Sequence, residues 1–191
     1  TVTYNGANQS VAGYTATGLQ GSDSVVVTGY ATGTHAGAYT DSLVASGASA
    51  SNYSITYNNG SMTITPASLL VTGVANQYAY NGALQANTGA SVSGLKGSDT
   101  ASVSGYATAT HVSQGIVPDA LVATLSNPAD YTVTYVQGSL QITPIVITAT
   151  VNSATVMYNA ASQTSGFVVT GLKGTDTATA ASGTATGTNV G

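Results

Sequence analysis

Cysteine is absent from the 191 residues, so no disulfide framework can form. Arginine and glutamate are absent too, leaving Lys96, Lys173 and six Asp as the fixed charges and a formal net charge of −4. Charged residues make up 4% of the chain, against about 25% in ordinary globular proteins. Nucleic acid and anionic membranes are both held by clustered Lys and Arg, so this composition argues against either as a partner. No apolar run approaches the roughly 18 residues needed to span a membrane. The chain itself contains no signal-peptide pattern and starts with Thr1 rather than Met, so it reads as a piece of a longer protein.

What is abundant is small and β-favouring. Ser and Thr number 53, and Gly 23; Thr, Val and Ile together with twelve Tyr suit a pleated, half-buried surface. With 42% apolar residues in regular alternation, an ordered β protein is favoured over disorder.

The strongest feature is internal repetition. Tyr53 to Pro66 reads YSITYNNGSMTITP, and Tyr131 to Pro144 reads YTVTYVQGSLQITP, 78 positions later (131 − 53). TYNGANQ at Thr3 to Gln9 returns as AYNGALQ at Ala79 to Gln85 and MYNAASQ at Met157 to Gln163. TGLQGSD at Thr17 to Asp23 returns as SGLKGSD at Ser93 to Asp99 and TGLKGTD at Thr170 to Asp176. GYATGTH at Gly29 to His35 returns as GYATATH at Gly105 to His111 and, more loosely, as GTATGTN at Gly183 to Asn189. The second copy is two residues longer between His111 and Tyr131, where a loop would absorb them.

Taking each closing Pro as a boundary, residues 1–66 form a unit without its first strand and 67–144 a complete unit. Residues 145–191 form a unit cut before its closing segment. A period of 78 exceeds the 20–30 residues of a solenoid coil. It suits tandem small antiparallel β-sandwich or β-roll modules arranged end to end, each touching its neighbours. In the complete unit, alternation predicts strands at Leu69–Val74, Ala90–Leu95, Ala101–Thr108, Ala120–Leu125, Tyr131–Val136 and Ser139–Thr143. Ala67 to Tyr80 joins one unit to the next without a flexible linker, which implies a semi-rigid rod.

Asn59-Gly60 is a strong type I′ hairpin signal. It predicts Tyr57 opposite Met62, Ile55 opposite Ile64, and Tyr53, Tyr57, Tyr131 and Tyr135 on an inner face. Gln137-Gly138 would do the same in the second copy, and Pro66 and Pro144 should end each ladder.

The titratable residues read as scaffold. Asp23, Asp99 and Asp176 follow a Gly-Ser or Gly-Thr pair and are expected to make Asx turns; calcium would require several more carboxylates. Asp41 and Asp119 are expected as solvated strand starts. His35 and His111 match in position, but Asn189 replaces them in the third copy, so neither a metal site nor a catalytic triad is expected. Lys96 and Lys173 would suit isopeptide bonds, except that Gln20 stands there in the first copy. Tyr4, Tyr80 and Tyr158 are expected in cores, with sugar stacking as the other option. Asn8, Asn52 and Asn59 head N-x-S sequons, which permit glycosylation without arguing for it.

The YNG start, the GLxGSD turn and the closing NYSITYNNGSMTITPA resemble the MBG and YDG-type repeats of large bacterial surface adhesins, including filamentous-haemagglutinin-like proteins. Asp130 before Tyr131, and Asn where the YDG type has Asp, depart from that pattern. The resemblance implies a β-rich module used in tandem as a stalk, without catalytic residues, on an extracellular or cell-surface protein. The expected function is a non-catalytic spacer that needs no cofactor or metal and whose partners are neighbouring repeat units. Two alternatives stand beside it: self-assembly of copies into an extracellular fibre or sheath, and a carbohydrate-binding module for surface glycans.

Overall fold

The computed structural model describes residues 1–179 and 186–188, so the third-copy positions Gly183 to Ala185 and Asn189 lie outside the described residues. The protein is all-β, as its composition predicts. Among the described residues, helical structure is confined to 3-10 turns at Ala50–Asn52, Val112–Gln114 and Pro128–Asp130. Val112–Gln114 sits where the second copy carries its two extra residues.

By contact, the chain forms two compact units. One holds Thr1–Gly73, Ala90–Ser104 and Leu121–Val136; the other holds Val74–Gly89, Gly105–Ala120 and the described residues from Gln137 onward. These units cut across the sequence copies, because residues 67–144 supply three segments to each.

Strand pairing repeats along with the sequence. Gln9–Ser10 pairs antiparallel with Thr32–Gly33, Gln85–Ala86 with Thr108–Ala109, and Gln163–Thr164 with Thr186–Gly187. Val26–Thr28 pairs with Val44–Ser46 as Ala101–Ser104 does with Val122–Leu125. Ala67–Gly73 pairs antiparallel with Ala90–Ser93, and Thr148–Val151 with Phe167–Thr170.

The closing segment is not a hairpin, which corrects the expectation from Asn59-Gly60. Tyr131–Val136 runs parallel to Ala67–Gly73, with Tyr131 opposite Ala67. Ser139–Thr143 runs parallel to Ala75–Ala79, with Ser139 opposite Ala75, and antiparallel to Ile116–Pro118. The two arms therefore pair with different strands rather than with each other. In the first copy only the second arm, Ser61–Thr65, is a strand; it pairs parallel with Val2–Thr3 and antiparallel with Gly37–Thr40. None of Asn59, Gly60, Gln137 and Gly138 has the positive φ that a type I′ turn requires.

The glycine has another purpose. A Cβ at Gly138 would collide with Asp119 Oδ2 and the Val74 backbone, and one at Gly60 would lie 2.8 Å from Asp41 Oδ2. Glycine stands here because a carboxylate and a backbone approach too closely for a side chain.

Alternation places the core. In Ser61–Thr65, Met62 and Ile64 point inward, and in Ser139–Thr143, Leu140 and Ile142 do so, all nearly inaccessible. Burying such a side chain stabilises by about 1.5–3 kcal/mol. Both strands end at Thr before Pro, as expected, and the chain enters Ala67–Gly73 directly after Pro66. Met62 and Ile64 then share one cluster with Ala67, Leu69, Tyr4, Ala31 and Tyr131. The other unit gathers Leu140 and Ile142 with Ala107 and Ala109, flanked by Tyr78, Tyr80 and Val117. Ile55 and Tyr57 lie largely exposed, so the inner-face placement of these two residues is also corrected.

Candidate functional site

With so few charges in the chain, the carboxylates show where chemistry concentrates. Asp99 begins from a tight turn in which its backbone N–H donates to Lys96 O at 3.0 Å. Its side chain does not cap that turn, correcting the Asx expectation. Instead Oδ2 accepts from the Tyr131 hydroxyl at 2.6 Å and the Tyr4 hydroxyl at 2.8 Å, while Oδ1 accepts from Asn127 Nδ2 at 2.6 Å. The Tyr131 oxygen also accepts from the Lys96 N–H at 2.8 Å, tying the turn to the strand.

The arrangement repeats. Asp23 accepts from the Tyr53 hydroxyl at 2.6 Å and from Ser49 Oγ at 3.0 Å, and Tyr53 accepts from Gln20 N–H. Asp176 accepts from the Tyr80 hydroxyl at 3.0 Å. Asp99 receives both kinds of bond, one from a Tyr 32 residues downstream and one from a Tyr-Asn-Gly tyrosine 95 residues upstream, whereas Asp23 has the first kind and Asp176 the second.

The bonds shift the titrations in the sense that hydrogen bonding demands. The hydroxyls of Tyr131 and then Tyr4 hold the Asp99 carboxyl below its usual range. Donation to Asp99, then burial, pushes the Tyr4 phenol well above its usual range; for Tyr131 burial leads and Asp99 follows. Asp23 raises Tyr53, and Asp176 raises Tyr80. Each phenol is kept neutral as donor and the Asp99 carboxylate charged as acceptor.

A second hub adjoins the first. Asp130 is 1% exposed, and its Oδ2 lies 2.7 Å from His35 Nδ1 while Oδ1 accepts from the Ala36 N–H at 2.6 Å. His35 stacks on Tyr4 with ring centroids 6.4 Å apart, and Tyr4 meets Tyr131 edge-on at 5.5 Å. In the other unit His111 stacks on Tyr80 at 6.1 Å.

The third type corrects the solvated-start expectation for Asp41 and Asp119. Asp119 is buried and accepts from Asn87 Nδ2 and from the Ala107 N–H at 2.8 Å, while its own N–H donates to Gly138 O. Asp41 accepts from Ala31 N–H at 2.7 Å and Gly60 N–H at 3.1 Å. Val11 stands where Asn87 does in the second copy, which leaves Asp41 without that amide.

These hubs hold backbone and ring atoms. No buried side-chain N or O among the described residues lacks a partner, and no group of three or more His, Cys, Asp or Glu stands together for a metal. An open pocket of about 530 Å³ includes Tyr30, Thr32, Tyr39 and Ser42 in its lining, with no carboxylate, imidazole or amine. Among the described residues no helix is long and apolar enough to cross a membrane.

Sequence reasoning treated Tyr4, Asp99, His35 and Asp130 one at a time and missed that they form one cluster. The available signal was the joint recurrence of Tyr-Asn-Gly and Gly-Ser-Asp at a fixed separation. No family model, curated protein or solved structure matches the chain.

Proposed function

We propose that this chain is a non-catalytic structural spacer, made of tandem β repeats, from a secreted bacterial surface protein of the kind its MBG and YDG-like motifs resemble. The observation that supports this reading is the use of the scarce titratable groups. Asp99 is bound by Tyr4 from the first sequence copy and by Tyr131 from its own, so the carboxylate joins copies rather than facing a substrate. A spacer must transmit load along the chain, and side-chain links between copies are what would carry it.

Pulling the chain by its two ends tests this. Cooperative rupture steps are expected, with Tyr4→Phe lowering the rupture force. Featureless stretching at low force would remove the spacer reading.

A further inference from the structure

Asn5-Gly6 and Asn81-Gly82 are the same dipeptide in the same conformation. Asn5 Oδ1 accepts from the Ala7 N–H and Asn81 Oδ1 from the Ala83 N–H, both at 2.9 Å, so each forms an Asx turn. Gly6 and Gly82 both have φ of +80°. Both Asn residues are exposed to water. Among the described residues, the N–H groups of Gly6 and Gly82 donate to no hydrogen bond.

We infer that Asn5 and Asn81 are sites of spontaneous deamidation, a modification that loosens the contacts between sequence copies. The backbone N of the following glycine gives its proton to solvent base and attacks the side-chain Cγ. The new C–N bond replaces the Cγ–Nδ2 bond, ammonia departs, and a five-membered succinimide remains. Water then opens the ring. Addition at Cγ gives ordinary aspartate, and addition at the main-chain carbonyl gives isoaspartate.

Three features favour the step at these two positions. The bond to Oδ1 curls the side chain back along its own backbone, and it stabilises the negative charge Oδ1 gains as Cγ becomes tetrahedral. Glycine has no side chain to block the approach of its N. Exposure admits base and water.

The two nearest comparisons in the chain lack part of this set. At Asn59-Gly60, Oδ1 accepts from the distant Leu43 N–H at 3.3 Å, and the Gly60 N–H donates to Asp41 Oδ2 at 3.1 Å. The carboxylate opposes loss of the proton it holds. Asn159 keeps the Asx turn, accepting from the Ala161 N–H at 3.0 Å, but Ala160 places a methyl beside the attacking N.

The product matters because of what flanks it. On one side of Asn5, Tyr4 is bonded to Asp99; on the other, Gly6 sits so close to Gly97 that a Cβ would come within 2.7 Å of its N. Tyr80 and Gly82 flank Asn81 in the same way, against Asp176 and Gly174. Isoaspartate lengthens the main chain by one atom between these two anchors, so both cannot be held. This chemistry goes beyond the spacer reading and does not depend on it.

Peptide mapping by mass spectrometry, on the full chain held at mildly alkaline pH, follows the loss of each asparagine with time. In the folded protein Asn5 and Asn81 are expected to convert at least roughly tenfold faster than Asn59 and Asn159. In urea Asn59 should catch up with them, since all three are then plain Asn-Gly, while Asn159 stays slow. Asn59 converting alongside the other two in the folded protein would overturn the assignment, as would survival of Asn5 and Asn81 there while they convert in urea. The isoaspartyl protein, separated by its added negative charge, should unfold at lower urea than fresh protein. Asn5→Asp/Asn81→Asp supplies that charge and keeps the turn's acceptor without the extra main-chain atom, so it should unfold where fresh protein does. An isoaspartyl protein as stable as this variant would show that the contacts between copies are not loosened, and the inference would fail.

Discussion

The Tyr4 hydroxyl donates to Asp99 Oδ2 at 2.8 Å, joining residues 95 positions apart. Tyr80 and Asp176 repeat the bond 96 positions apart. One short motif thus finds the next copy of another, and the two bonds lie in different compact units. A link that recurs with the repeat is a property of the repeat, and the stability of each unit should depend on it.

Tyr131→Phe should destabilise more than Tyr4→Phe. Both remove one donor from Asp99, but Tyr131→Phe also strips the Lys96 N–H of its acceptor. An amide left without its bond costs about 1–3 kcal/mol when buried; Lys96 is half-buried, so the lower end applies. Urea denaturation of the two variants checks the order, and equal midpoints would contradict it.

Stability should have an acid limb and an alkaline limb. Asp99 has a folded-state pKa below its unfolded value, so its contribution is full above about pH 4 and is lost as pH falls through the folded value. Tyr4, Tyr53, Tyr80 and Tyr131 are raised, so their contribution is full below about pH 10 and lost as pH rises towards their folded values. Melting temperature against pH should plateau between these limits. Asp99→Asn should flatten the acid limb, whereas an unchanged limb would place the acid sensitivity elsewhere.

Gly138 distinguishes close approach from a turn. A hairpin turn would accept Asn at positive φ, but here any side chain meets Asp119 and the Val74 backbone. Gly138→Asn and Gly138→Ala should both destabilise, by about 1–3 kcal/mol. Thermal melts check this, and a tolerated Asn would restore the hairpin.

His35 and Asp130 should be coupled. His35→Ala leaves the buried Asp130 with only the Ala36 N–H, at a cost of about 1–3 kcal/mol. Asp130→Asn removes the charge and should be better tolerated, since Asn52 occupies that position in the first copy. The double variant should be more stable than the summed single costs predict. Strict additivity in a double-mutant cycle would show that the pair does not interact.

Much of this architecture is legible in the chain before folding. Tyr131–Val136 and Ser139–Thr143 fall on their predicted bounds because period-two alternation marks strands directly. The inward set Met62, Ile64, Leu140 and Ile142 follows from the same alternation. The hairpin failed because Asn59-Gly60 is a local turn signal, and a non-local contact between Asp41 and Gly60 overrode it. Asp119 and Asp130 read as ordinary polar residues for a related reason: their partners Asn87 and His35 lie 32 and 95 positions away.

The amino-acid order by itself determined an all-β protein, its repeat and, in arms such as Ser61–Thr65 and Ser139–Thr143, where the strand runs and which face it buries. Those properties depend on side-chain size, branching and alternation within a few residues. Tertiary structure decided which strand lies beside which, and which carboxylate meets which tyrosine. Alternation selects a face without naming the neighbour, and that neighbour is settled only when distant segments pack together and leave no buried polar atom unpaired.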